Sequence, residues 1–292
     1  MELIENYELK KHNTFHVGGN AAWAAFPKTL NELSEVLQWA KEQNVPFRVL
    51  GYGSNILVSD SGYNGVVIML SELEDATSFQ WLEKGKTYSA GAWMSLKKIS
   101  NELLLEGCTD FIKLSGVPGT LGGAIKMNAG CFGKEVSEDI TSVELIRGTG
   151  EQEHVAKEEL GFAYRKSKVR VNEIIVRAEF ATKEFGGEDE VARQKEEIKI
   201  SRQNQPLGTK NAGSIFKNGK DYIAAKLIDE AGLKGMAFGG AEVSNIHANF
   251  IVNTGKATAT NIYELICAVE EKVQEEFDIR MKREVELIGV FH

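Results

Sequence analysis

Six glycines between Gly116 and Gly133, in the run GVPGTLGGAIKMNAGCFG, constrain this chain more than any other feature. Glycine loses more conformational freedom on folding than any other residue, so such density belongs where the backbone bends sharply or approaches a ligand. Pro118 fixes a turn, Gly119 frees the next amide, and GTLGGA leads into a short helix whose N-terminus is expected to face outward, an arrangement that favours phosphate. Gly122, Gly123 and Ala124 remove side chains where a flat ring or a pyrophosphate would touch the backbone. No Gly-Lys-Ser/Thr follows, so this is not a nucleoside-triphosphate P-loop.

A second glycine loop, Gly51, Tyr52, Gly53, Ser54 and Asn55, lies between the apolar runs FRVL and ILVS. Ile56 stands where a Rossmann fingerprint needs its third glycine at a helix start, which excludes that motif. The amides of this loop, with Ser54 and Asn55, either line an anion site as a nest or make a plain tight turn. Two such loops about 65 residues apart suit the two ends of a long phosphate-bearing cofactor.

Around the loops, strand and helix patterns alternate. Residues 21–26 predict a strand, and Thr29 with Glu32 forms a capping box for a helix whose Leu30, Leu33, Val36, Leu37 and Ala40 share a face. Asn44 and Pro46 stop it. FRVL, ILVS and VVIML predict strands, residues 77–91 a hairpin turning at Lys84–Gly85, and Leu96, Ile99 and Leu103 the buried side of a helix that stops at Gly107. Strands are expected near 140–147 and 174–182. The charged stretch FGGEDEVARQKEE is the expected domain boundary, ahead of a helix into Arg202. Further on come a helix near 221–231, the strand NFIVN, a long helix with Ile262, Ile266, Val269, Val273 and Phe277 on one stripe, and the strand EVELIGV.

The 292 residues suffice for one large or two to three small domains with their own cores. A net charge of −8 argues against nucleic acid or an acidic membrane as the main ligand. Three scattered cysteines predict reduced thiols, and no metal-ligand spacing links them to the five histidines, so no required metal is expected. The N-terminal MELIENYELKK has no signal-peptide run, and no segment approaches the ~20 apolar residues of a membrane span, which predicts a cytoplasmic protein.

Taken in order and spacing, LGYGSNILVSDSGYNG, GVPGTLGGAIKMNAG, FAYRKS, GSIFKN, HANFIVN and REVELIG resemble the UDP-N-acetylenolpyruvoylglucosamine reductase family across nearly the whole chain. The resemblance implies an α+β fold with two FAD-binding subdomains of the vanillyl-alcohol-oxidase (PCMH) type, about 1–70 and 71–185, and a C-terminal α+β substrate-binding domain, 186–292. It implies non-covalent FAD held by Gly51, Tyr52, Gly53, Ser54, Asn55, Pro118, Gly119, Thr120, Gly122, Gly123, Ala124 and Asn128. NADPH is the implied hydride donor and a UDP-sugar the implied substrate; the oligomeric state is left open, a monomer being compatible.

The implied reaction reduces an enolpyruvyl ether to a lactyl ether. Hydride addition at the distal carbon pushes negative charge onto the carboxylate, and a proton must reach the neighbouring carbon. By resemblance Arg165 meets that carboxylate, Ser214 gives the proton and Glu284 is the acidic residue of the final strand. Glu286 points the same way by strand alternation, and only the match to REVELIG favours Glu284. Beside a substrate carboxylate Glu284 would serve best protonated, with a raised pKa. Tyr164, Asn218, His247 and Asn249 are weaker candidates for substrate contacts.

Two departures stand out. Gly219 occupies a position where the family pattern usually has proline, which loosens the loop carrying Ser214. The space between Arg165 and Gln205–Pro206 is too short for the extra substrate-clamping loop of one family branch. Two other functions remain open from sequence: an FAD-dependent oxidase of the same fold acting on an alcohol or hydroxy acid, and a non-catalytic nucleotide-sugar or flavin-binding module.

Overall fold

The computed structural model describes residues 2–292, and among them seven α-helices form: α1 Leu30–Glu42, α2 Glu74–Thr77, α3 Leu96–Leu104, α4 Leu121–Lys126, α5 Glu188–Arg202, α6 Ala224–Glu230 and α7 Ala259–Phe277. Local chemistry sets their ends. The Thr29 hydroxyl accepts from the Glu32 amide at 3.1 Å, while the Glu32 carboxylate reaches back to the Lys28 amide at 2.8 Å, one residue earlier than a standard capping box. Asn44, at φ +52°, turns the chain out of α1.

The chain divides into two compact units, each discontinuous in sequence. The first comprises residues 2–5, Trp23–Gly51 and Gly65–Lys199. Its five-stranded antiparallel sheet runs in the order Gln152–Ala156, Ile140–Ile146, Ile174–Ala181, Thr87–Gly91, Phe79–Glu83, closed at one edge by the expected hairpin with Gly85 at φ +73°. One face buries Tyr88, Phe111 and Phe180 with Leu96, Ile99 and Leu103 of α3 and Leu121 and Ile125 of α4. The Tyr88 and Phe180 rings stack at 5.0 Å. A separate core packs Leu33, Val36, Leu37 and Ala40 of α1 on Val66 and Ile68, where Phe47–Val49 runs parallel to its neighbour.

The second unit comprises Asn6–Ala22, Tyr52–Asn64 and Ile200–His292. Its core is α7, whose Ile262, Leu265, Ile266, Val269 and Val273 pack with Phe15, Leu57, Phe216, Ile228 and Ile251. Residues 52–64 belong to it for specific reasons. The strand Ile56–Val58 pairs in parallel with Glu286–Ile288, and the Asp60 carboxylate caps α7 by accepting from the Ala259 and Thr260 amides at 2.9 and 2.8 Å. The division between the units runs through α5, between Lys199 and Ile200; the charged stretch before it is largely helical, tied by Arg193 to Glu190 and Glu197.

Candidate active site

In the first unit Gly51 packs against Thr120. A Cβ on Gly51 would lie 2.4 Å from the Thr120 hydroxyl oxygen, so only glycine allows this approach. Thr120 is the N-cap of α4, buried to 5% exposure, and Gly119 before it sits at φ +128°. The expectation that the N-terminus of α4 faces outward is overturned. The Leu121 and Gly122 amides donate to the Met94 and Ala92 carbonyls at 2.8 Å each, and the Gly123 amide lies 3.4 Å from the Thr120 hydroxyl. Bridge pairing of Thr120 with Ser95 draws the helix start onto the 92–95 segment and consumes those donors.

The glycines of α4 therefore have different uses. A Cβ on Gly122 would press on that of Ala92 at 3.1 Å, so this residue serves close packing. Gly123 has only the Thr120 hydroxyl at 3.5 Å, which leaves its backbone open to a flat group. Ala124 is buried at 5% exposure. The close approach of Gly51 and Thr120, the open Gly123 backbone and the absence of acidic side chains from both glycine-rich stretches fit an anionic, ring-bearing cofactor such as FAD.

Arg165, distant in sequence, reaches the Gly130 end of the glycine-rich run within the same unit. It is a non-glycine residue at φ +52°, in the turn where Ala163 and Lys166 exchange backbone bonds. Its guanidinium donates to the Gly130 carbonyl at 2.9 Å, lies 3.5 Å from that of Asn128, stands 3.8 Å from Glu135 and covers the half-exposed Tyr164 ring at 5.0 Å. Asn128, itself at φ +47° and 1% exposed, donates to Glu135 at 2.8 Å and to the Ala163 carbonyl at 3.1 Å. The structure thus joins two predicted residues, Arg165 and Asn128, through a third, Glu135, that sequence did not single out. Its one sequence signal was its place two residues after Gly133, at the end of the glycine-rich run.

In the second unit Ser214 and Glu284 lie on paired segments. Phe216–Lys217 is antiparallel to Lys282–Arg283, and the Glu284 amide donates to the Ile215 carbonyl at 2.7 Å. The far side of the Glu284 segment is held by the GYGSN loop: Asn55 Nδ2 donates to the Glu284 carbonyl at 3.0 Å, and the Glu286 amide donates to the Asn55 carbonyl at 3.0 Å. Gly53 needs φ +64°, and its missing Cβ clears the His12 carbonyl, which would lie 2.1 Å away. Tyr52 is 42% exposed, and Ser54 is half-buried beside it.

The weaker candidates separate. Asn249 is buried and spends its side-chain amide on Phe216, accepting from the amide at 2.9 Å and donating to the carbonyl at 2.8 Å, so it holds the segment that carries Ser214. Asn218 is exposed and accepts from the Ala224 amide at the start of α6. His247 is half-buried; burial, then the Lys234 charge, lowers its pKa, and the neutral ring accepts from the Asn249 amide at Nδ1. Gly219 is covered by Tyr222, whose ring would lie 2.1 Å from an added Cβ, and its amide donates to the Tyr222 carbonyl. Among the described residues no group of three or more His, Cys, Asp and Glu side chains forms a metal site.

Two family models match the chain, and their boundaries cut across the structural units, because the first includes residues 52–64 of the second unit. Residues 21–156 match the family model for an FAD binding domain, and residues 205–288 match the C-terminal domain of UDP-N-acetylenolpyruvoylglucosamine reductase. The UDP-N-acetylenolpyruvoylglucosamine reductase of Caldanaerobacter subterraneus subsp. tengcongensis is 37% identical, covering 99% of this chain and 94% of that one. That of Enterococcus faecalis is 37% identical over 98% of this chain and 94% of its own. The crystal structure of UDP-N-acetylenolpyruvylglucosamine reductase from Thermus caldophilus superposes with a TM-score of 0.82 at 35% identity, covering 99% of this chain and 98% of that one. On family models, near-full-length relatives and fold alike, this chain belongs to the UDP-N-acetylenolpyruvoylglucosamine reductase family.

Proposed function

We propose that this protein uses NADPH and FAD to reduce UDP-N-acetyl-enolpyruvoylglucosamine to UDP-N-acetylmuramate, a step in making peptidoglycan precursors. The observation that carries this beyond family membership is the hydrogen-bond network in which Asn55 of the GYGSN loop, Glu284 and the Ser214 segment are tied together. When bound, FAD would supply two-electron hydride chemistry between NADPH and the enolpyruvyl ether. The chain supplies binding, charge and a proton.

Arg165 is the candidate partner of the substrate carboxylate, where negative charge grows as hydride arrives. The Gly130 carbonyl and Glu135 orient its guanidinium, which avoids reorganisation during reaction. Ser214 Oγ is the candidate proton donor to the carbon next to that carboxylate, and Glu284 the acidic group beside it. A hydroxyl makes a poor acid in water, so Ser214 requires a basic intermediate and exclusion of solvent. The proposal requires Arg165, Ser214 and Glu284 to act on one substrate molecule.

In this reading residues 1–185 form the FAD-binding region and 186–292 the substrate-binding domain, with the last strand returning Glu284 to the chemistry. Segment 52–64 then contributes a cofactor loop while packing with the C-terminal residues. No helix among the described residues is long and apolar enough to cross a membrane, and a cytoplasmic enzyme acting on a cytoplasmic nucleotide sugar follows from the proposed pathway step. An anaerobic absorbance titration tests the proposal: NADPH bleaches the flavin band and the enolpyruvyl sugar nucleotide restores it. Protein that takes up no FAD, or reduced enzyme that oxygen but not this substrate reoxidises, would leave the oxidase or a binding module as the better account.

A further inference from the structure

Glu284 lies between two short strands, Lys282–Arg283 and Glu286–Ile288, at a position that no ladder of its own covers on both sides. Hydrogen bonds hold both of its flanking peptide planes. The plane before Cα is fixed by its N–H donating to the Ile215 carbonyl at 2.7 Å. The plane after Cα is held by its carbonyl accepting from Asn55 Nδ2 at 3.0 Å, the shorter of its two bonds; the other is a 3.4 Å bond from the Val285 N–H to the Ile215 carbonyl. Peptide units are rigid, so holding both planes fixes φ and ψ between them and hence the Cα–Cβ direction from which the side chain starts and which limits its rotamers.

Asn55 occupies a place that a backbone N–H fills in a regular sheet. The parallel pairing of Ile56–Val58 with Glu286–Ile288 starts at Ile56↔Glu286, and the last main-chain bond before it is Glu286 N–H to the Asn55 carbonyl. One step further the loop turns away, and the side-chain amide of Asn55 reaches the next carbonyl in line, that of Glu284. We propose that Asn55 is the positioning residue of Glu284: its side-chain amide extends the ladder by one bond and holds the backbone from which the Glu284 side chain reaches the reaction. The inference rests on the reading of Glu284 as the acidic residue of the reductase reaction.

The donor is the feature to test. Asn55→Asp keeps size and the loop turn but replaces the N–H donor with an acceptor facing the Glu284 carbonyl; Asn55→Ala removes both. Full-length, flavin-loaded variants are compared with the natural protein in two measurements. Hydrogen exchange of the segment 284–288 is expected to quicken about tenfold in both variants, the equivalent of one lost hydrogen bond. In anaerobic stopped flow, flavin reoxidation by the enolpyruvyl substrate is expected to fall about tenfold more than flavin reduction by NADPH.

Equal losses in the two half-reactions with unchanged exchange would mean that Asn55 serves the flavin alone, and the inference would be wrong. Variants that match the natural protein in both measurements overturn it equally. Failure of the underlying function looks different, because then the natural protein itself is not reoxidised by the substrate, whereas the exchange comparison between natural protein and variants is unaffected.

Discussion

The N–H of Glu284 donates to the carbonyl of Ile215, the residue after Ser214, at 2.7 Å. Sequence places these two 69 residues apart, and one main-chain bond puts the proposed proton donor and the proposed acid on neighbouring segments. Ser214 is preceded by Gly213 at φ +75°, with nothing within 4 Å of the position a Cβ would take, so the serine stands at the end of a turn rather than inside a packed strand.

Replacing Ser214 by alanine should separate the two halves of the reaction. Reduction of the flavin by NADPH is expected to continue, while delivery to the enolpyruvyl substrate falls by about 10²–10⁴-fold, the usual contribution of a positioned proton donor. Normal turnover in this variant would remove Ser214 from the mechanism. Single-turnover absorbance at the flavin band reads both halves in one preparation.

Asn249 makes a contrasting prediction. Its carboxamide is the hydrogen-bond partner of both the amide and the carbonyl of buried Phe216. Asn249→Ala strands two buried backbone groups, each costing about 1–3 kcal/mol. The variant is expected to show a clear fall in its urea midpoint even without ligands. A variant of unchanged stability whose KM for the sugar nucleotide rises would instead make Asn249 a substrate contact.

How much of this was legible in sequence depended on how local the cause is. Thr29 and Glu32 cap α1 within four residues, and Gly85 turns a hairpin between adjacent strands, so both were readable. The strand Gln152–Ala156 was not, because QEHVA carries polar residues on an edge and has no apolar alternation to announce it. The outward-facing start of α4 failed for a different reason: its amides are claimed by Met94 and Ala92, partners that no local pattern names. Glu135 stayed hidden because its role depends on Asn128 and Arg165 both adopting left-handed backbone, a conformation that residue type alone does not predict. Motif resemblance supplied Ser214 and Glu284, but their contact needs the pairing of Phe216 with Arg283, which strand alternation cannot choose.

Gly219 illustrates a departure that the structure accounts for. Proline at this position would remove the amide that bonds the Tyr222 carbonyl and would press into the Tyr222 ring. Gly219→Pro is therefore expected to destabilise by about 1–3 kcal/mol, as overpacking typically does, rather than rigidify the loop. Combining it with Tyr222→Ala should recover part of the loss, and the double-mutant cycle measures that coupling. Additive losses would show that the ring is not what excludes proline here.

The last prediction concerns alkaline pH and a buried ionisable cluster in the first unit. Lys134, with its side chain 6% exposed, pairs with buried Asp139 at 2.8 Å and with Glu184 at 3.1 Å. Burial alone would lower its pKa, but the hydrogen bond and charge of Asp139, aided by Glu184, outweigh that and hold it up to about 12. Nearby Cys108 is pushed up to about 12 by burial, and then by the hydrogen bond from its thiol to Asp110 at 2.7 Å. Both groups bind their protons more tightly folded than unfolded. Their contribution is complete below the unfolded values, about 8.5 for a thiol and 10.4 for an ammonium, and is lost as pH rises towards the folded ones. The urea midpoint should thus decline from about pH 9 upward, with the thiol accounting for the earlier part of the fall. Cys108→Ala is expected to flatten that early part. Lys134→Met leaves the Asp139 carboxylate with Lys183 alone at 3.3 Å and should cost about 3–5 kcal/mol at neutral pH. A midpoint that stays level between pH 8 and 11 in the natural protein would show that neither proton is held more tightly by the fold.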